Sequence, residues 1–366
     1  MPNPPARGRS GPIVLHGSLT RIADLDRRPF EVTPLARDAW SNGDYVVVEV
    51  LDDAPAVQLE LPTGRLVEIG RGDLVVGAFG RRHATLEATG SWEEVGDNGE
   101  MEILTGGGLL GRLTSRSALV PPLPRVAYRG HAVRAGTPLR MKDFAIGGAP
   151  GAARAGSSGT DAPLPPVILV IGTSMSAGKT ATARVLIRRL VGRGLRVMGM
   201  KVAGAGRYRD ILTMADCGAD PVLDFVDAGL PSTVCPAEEY APALDRLLVR
   251  LAAAAAGTEG DPVDVAVVEV GASPLEPYNG ERAIERLRPS ICLTALCASD
   301  PYAVVGIMQA FGVRPDFVTG IATNTIAGVE LVRKLARVPA FDVRAPDARP
   351  ELDALLTRTL GLDDAR

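Results

Sequence analysis

Residues Gly172-Thr-Ser-Met-Ser-Ala-Gly-Lys-Thr180 constrain this chain more than any other stretch. They follow the apolar run 167–171, Val-Ile-Leu-Val-Ile, and open a helical pattern over 181–190. A buried strand, a glycine loop closing on Gly-Lys-Thr and then a helix is the context a P-loop requires. Such a loop cradles phosphate with backbone N–H groups at a helix N-terminus. Gly172, Thr173, Ser174, Ser176, Ala177 and Gly178 are the expected cradle. Lys179 is expected to reach the terminal phosphates and Thr180 to hold Mg²⁺. Five residues, Thr173 to Ala177, separate the two glycines, one more than the usual motif has.

The rest of the second half fits a P-loop fold. From Pro166 apolar strand patterns alternate with helical ones, which predicts α/β architecture: a doubly wound, mostly parallel sheet. Candidate strands are 167–171, 196–202, 263–270, 291–296, 317–322 and 340–343. Candidate helices are 180–192, 238–256, 301–311, 328–337 and 350–360. The first part reads differently. Turn signals at Asn42-Gly43, Arg71-Gly72, Asn98-Gly99 and Gly106-Gly-Gly108 separate short strand patterns and predict a smaller β-rich barrel or sandwich. Asn42-Gly-Asp-Tyr-Val-Val47 and Arg71-Gly-Asp-Leu-Val-Val76 form a weak internal repeat, and 129–139 suggests a hairpin. The expected organisation is a disordered tail (1–11), the β-rich domain (12–145), a Gly/Ala/Ser/Pro linker (146–165) and the P-loop domain (166–366). Ligand binding is assigned to the last of these alone.

Charge and cysteine usage exclude several classes. Of 366 residues 46% are hydrophobic, and the net charge is −3. Neither nucleic acid nor an anionic membrane is an expected partner. The pairs Arg81-Arg82 and Arg188-Arg189 read as solvated faces. Cys217, Cys235, Cys292 and Cys297 form no Cys-x-x-Cys pair, which suits reduced thiols in a cytoplasmic protein. His16, His83 and His131 all precede the P-loop and lack metal spacing. They read as structural or surface residues, so histidine-based catalysis in the P-loop domain fails for want of a histidine.

Chemistry is therefore left to lysine, carboxylates and Mg²⁺. Glu269 ends an apolar strand, so it belongs at the carboxyl edge of the sheet, where open α/β sheets bind ligands. With Asp210 it is the candidate metal carboxylate pair, Asp216 competing with Asp210. Lys201 ends the second strand at the same edge, where a cation would stabilise a transferring phosphoryl group. Arg207 and Arg209 are candidates for gripping a carboxylate substrate. Ser273, Glu276 and Tyr278, in the Pro-rich loop after Glu269, are candidates for lining an acceptor pocket. Asn324 offers an amide donor and acceptor to a base edge, or else caps the next helix.

Four motifs in order carry a resemblance over about 165–345. These are the five-residue P-loop, Gly199-Met-Lys-Val-Ala-Gly-Ala-Gly206, Val268-Glu-Val-Gly-Ala272 and Gly320-Ile-Ala-Thr-Asn324. Together they resemble dethiobiotin synthetase, an ATP-dependent carboxylase, and the resemblance implies that Lys201 touches substrate and phosphate and that Asn324 reads the base. The same region also resembles the P-loop proteins that include D-glutamate N-acetyltransferases. That likeness rests on Asp224-Phe-Val-Asp-Ala-Gly229, on Glu269, Ser273 and Pro277, and on Gly320 to Thr325.

The leading expectation is a Mg²⁺-ATP-dependent enzyme that activates a small carboxylate or carbamate by phosphoryl transfer, in ligase or kinase chemistry. Lys179, Lys201 and Glu269 are its catalytic candidates. One alternative is an amino-acid N-acyltransferase that holds acetyl-CoA or another acyl-CoA by its pyrophosphate in the same loop. Another is a nucleotide-gated switch or chaperone with the β-rich domain as effector. The expected partner is a small-molecule substrate, and the expected assembly a homo-oligomer.

Overall fold

The structure, a computed structural model, describes residues 13–53, 57–147, 163–258 and 260–362. The expected tail and most of the expected linker lie outside these residues.

Five strands of the first part close into a ring. Tyr45–Val50 pairs antiparallel with Leu74–Phe79 and with Arg125–Arg134. Arg125–Arg134 continues to Glu100–Thr105, and that strand to Leu109–Arg116. Parallel pairing of Leu109 and Leu110 with Ala78 and Phe79 closes the circuit, giving a barrel. The two halves of the internal repeat are thus adjacent strands, each entered through a left-handed glycine, Gly43 at φ 78° and Gly72 at φ 86°. Alternation decides the packing. Val46, Val48 and Val50 face the barrel interior with Val75, Phe79, Met101 and Ile103. Tyr45 and Val47 face the other way, into a core shared with the P-loop half.

The barrel has one outgrowth. Past Gly80 the chain forms a hairpin, Arg81–His83 against Ala88–Ser91, whose second strand also pairs with the end of Leu109–Arg116. The turn of this hairpin carries Glu87.

The second part holds six parallel strands in the order 222–224, 197–203, 265–270, 167–172, 291–297 and 317–319. Its helices are α1 (Lys179–Val191), α2 (Tyr208–Ala215), α3 (Ala237–Ala256), α4 (Gly280–Leu287), α5 (Pro301–Phe311), α6 (Ile326–Ala336) and α7 (Arg349–Leu360). One face of the sheet packs on α1 and α7 through Leu186, Leu190, Leu352 and Leu356. The other packs on α3 to α6 through Leu244, Leu251, Ile284, Val304 and Val332. Helices on both faces leave the central strands fully buried, which is why 167–172 and 265–270 read as unbroken apolar runs.

Five segments differ from the sequence reading. The short strand Val222–Asp224 and helices α2 and α4 were not expected, because each is too short to show a period. Residues 340–343 make a single bridge, Val318 to Ala340, rather than a strand. Residues 321–323 form a 3₁₀ turn where the strand was expected to continue.

The two parts meet over a wide seam. Leu19 and Tyr45 share one core with Phe225, Val226 and Leu230. At the seam's centre backbone meets backbone: a Cβ on Gly107 would lie 2.7 Å from the Gly206 carbonyl, and a Cβ on Gly206 would collide with Leu19. The near end of the expected linker is held too, since Ile146 N–H donates to the Asp227 carbonyl at 2.8 Å.

Candidate functional site

The strand 167–172 delivers the loop to the carboxyl edge of the sheet. Two residues bend it into a cradle: Ser176 at φ 62° and Gly178 at φ 109°. At Gly178 a Cβ would also sit 3.2 Å from Gly320 Cα, so glycine is needed there for space as well as conformation. Lys179 folds back over Gly172 and donates to the Ser174 carbonyl at 2.7 Å. Burial lowers its pKa, with Glu269 as the largest opposing influence.

Strand register sets the charges in a row. Asp224, Lys201, Glu269 and Val170 are consecutive partners across four strands. Glu269 is buried and accepts from the Thr180 hydroxyl at 3.1 Å. Burial raises its pKa against the pull of Lys201 and Lys179. Lys201 is buried and paired with Asp210 of α2. Burial works against its charge, yet the attraction of Asp210 and Glu269 wins and its pKa is raised. Asp216 is exposed at the end of α2, so Asp210 is the acid that reaches the site.

These groups line one cavity of about 570 Å³. From the P-loop half it takes Ser176, Lys179, Thr180, Lys201, Arg207, Asp210 and Glu269. From the barrel half it takes Val57, Leu104, Val120, Leu123, Arg82 and Glu87. The cavity is therefore walled by both halves, and not by 166–366 alone. The Arg207 guanidinium has no hydrogen-bond or ion-pair partner among the described residues, and its Nε is buried.

A smaller pocket of about 50 Å³ lies across the loop and shares Gly178 and Ala181 with the cavity. Asn324 lines it with Asp342 and Arg344, and Arg344 donates to the Asn324 amide oxygen at 2.6 Å. Asn324 is not the helix cap. Thr325 caps α6 by accepting from Gly328 N–H.

Other candidates fall outside the cavity. Thr173 bonds Ser299 through its hydroxyl, and Ala177 is buried. Tyr278 is buried, and its hydroxyl accepts from His83 N–H at 2.9 Å, pinning the hairpin to the P-loop half. Ser273 is buried too, its hydroxyl accepting from Leu275 N–H and its own N–H donating to Glu276. Neither Ser273 nor Tyr278, both expected to line an acceptor pocket, is among the residues that line this cavity. Among the histidines His131 is fully buried between Asp44 and Tyr128, a structural contact inside the barrel.

The sequence reading missed two groups of contacts. Arg82 is not a solvated face: it is nine-tenths buried, its Nη1 donating to the Leu104 carbonyl at 2.6 Å and its Nη2 paired with Glu87. Glu60 of the barrel accepts from the N–H groups of Tyr208 at 2.6 Å and Arg209 at 3.3 Å, capping α2. For Glu60 the partners lie 148 and 149 positions away and leave no local signal. Among the described residues no helix is long and apolar enough to cross a membrane.

No protein-family model matches the chain, and no curated protein does. The two family resemblances therefore rest on the motifs alone. Among solved structures the chain is similar in part to the signal recognition particle receptor FtsY from Elizabethkingia anophelis, at 16% identity and a TM-score of 0.33, over 50% of this chain and 61% of that one. It is similar to the signal recognition particle 54 kDa protein from Aeropyrum pernix K1 in complex with GDP, at 20% identity and 0.32, over 55% and 50%. Chloroplast FtsY from Physcomitrella patens matches at 18% identity and 0.33, over 54% and 68%. The chain thus spans about three fifths of the first of these proteins and half of the second.

Proposed function

We propose that this chain binds a nucleoside triphosphate, ATP being the expected one, and transfers its γ-phosphoryl group to a small oxyanion such as a carboxylate or carbamate. The observation that carries the reading is the convergence of Lys179, Thr180, Glu269 and the Lys201–Asp210 pair on one cavity. Phosphate chemistry needs cations and metal-holding oxygens in that mixture. Arg207, whose guanidinium has no partner among the described residues and which lines the same cavity, suits the carboxylate of the acceptor. An acceptor oxygen would bond to the γ-phosphorus as the bond to the bridging oxygen breaks, releasing nucleoside diphosphate and leaving an acyl phosphate.

The oxygen donors Thr180, Glu269 and Asp210 suit Mg²⁺. Among the described residues no group of three His, Cys, Asp or Glu side chains forms a site by itself. That fits an ion which takes one or two carboxylates and completes its shell with phosphate and water. When bound, Mg²⁺ neutralises charge on the phosphate oxygens.

The nucleotide-gated switch is kept as a second reading because Glu87 and Arg82 of the barrel touch the loop at Ser176 and Met175. Calorimetry with ATP, GTP and acetyl-CoA, with and without Mg²⁺, tests both. Mg²⁺-dependent triphosphate binding together with nucleotide turnover stimulated by small carboxylates is the expected result. Binding without stimulated turnover favours the switch. Preference for acetyl-CoA without Mg²⁺ overturns both in favour of acyl transfer.

A further inference from the structure

The hairpin that overhangs the P-loop brings two charges that no P-loop motif accounts for. Arg82 is nine-tenths buried, yet its Nε has no partner among the described residues. Its Nη1 is fixed by the Leu104 carbonyl at 2.6 Å, and its Nη2 lies 3.9 Å from the sulfur of Met175 in the loop. Glu87 bridges the two parts: it pairs with Arg82 and accepts from the Ser176 hydroxyl at 2.6 Å. Both side chains line the cavity that Lys179 and Glu269 line.

A buried guanidinium with an open donor is incompletely satisfied, which is rare without a reason. A carboxylate bonded to the phosphate loop through the Ser176 hydroxyl competes with phosphate, because such a loop favours one anion and repulsion disfavours two. We propose that Arg82 is an arginine supplied by the barrel to the phosphate end of the bound nucleotide. Glu87 holds that place until the phosphates take it. Arg82 then stabilises the charge that builds on the transferring phosphoryl oxygens, while the Leu104 carbonyl keeps the guanidinium from following Glu87. The inference rests on the nucleotide reading above but assigns a residue outside the P-loop half.

The test uses the full chain with R82Q and E87Q. Glutamine at 82 keeps a donor for the Leu104 carbonyl and removes the charge. R82Q is expected to bind a non-hydrolysable ATP analogue with Mg²⁺ within about threefold of wild type. It should lose turnover by about 100-fold or more, the scale of removing one charge-stabilising donor. It should also fail to trap ADP with aluminium fluoride, which wild type should do. E87Q should bind the analogue several-fold more tightly. If R82Q melts well below wild type, R82K is read instead, with at least a tenfold loss of turnover expected because a point charge lacks the planar fork.

Wild-type turnover and trapping in the folded Arg82 variant overturns the assignment while leaving the nucleotide reading intact. Unchanged affinity in E87Q overturns the placeholder. Wild type that binds no nucleotide at all overturns both the inference and the reading beneath it.

Discussion

At the scale of single residues, Lys179 and Asp227 are the sharpest cases. Lys179 is buried with its ammonium on a loop carbonyl, and Lys201 stays beside Glu269 if it is removed. K179A is therefore expected to melt within a few degrees of wild type and to lose nucleotide affinity by about 100-fold or more, on the scale of a buried charged contact. Fluorescent-nucleotide titration checks it, and affinity near wild type would remove the phosphate site from this loop. Asp227 titrates at about 6 rather than the ordinary 3.8, because burial and the neighbouring Asp224 outweigh Arg21. Between those values the folded chain holds a proton that the unfolded chain has released. Stability from this group is thus highest at low pH and is lost as pH rises through the window. The unfolding free energy of wild type relative to D227N, from urea titrations, should fall between pH 4 and 6.5 by on the order of 2 kcal/mol. A pH-independent difference would reject the assignment. The P-loop residues were legible because their chemistry is local: nine consecutive residues carry it. Arg82 was illegible for the opposite reason, since it lies against the Leu104 carbonyl, 22 residues on, and the Met175 sulfur, 93 residues on.

At the scale of elements, α2 is the informative one. It has eight residues, and its cap comes from Glu60, almost 150 positions earlier. The carboxylate takes two N–H groups that would otherwise be left open at the helix start, where the dipole favours an anion. E60A is expected to lower stability by about 1–2 kcal/mol. Because α2 carries Asp210, it should also slow turnover; equilibrium unfolding and single-turnover assays check the two effects separately. Wild-type values in both would mean that α2 stands without its cap. The long helices and the central strands were readable from period and from continuous apolar runs. Helix α2 and strand 222–224 were not, because distant partners set them: a cap from the barrel for one, and pairing with the second strand for the other.

At the scale of the whole molecule, the barrel and the P-loop sheet share a hydrophobic core and a cavity. A specific protease site placed within 148–162 and then cut should leave two pieces that co-elute on gel filtration and still bind nucleotide. Pieces that separate in native buffer would show that the seam is weak. The fold class of each half could be read from its own pattern, but the seam could not, since no periodicity reports what a strand's outward face will meet. The glycine contact at the centre of that seam has a bearing on chimeras. The close approach of the barrel to the P-loop sheet depends on atoms that are missing from Gly107 and Gly206. A foreign barrel grafted onto this P-loop sheet would need the same bare position where Gly107 meets Gly206. A single methyl group there would press on the Gly206 carbonyl and hold the graft away from the sheet.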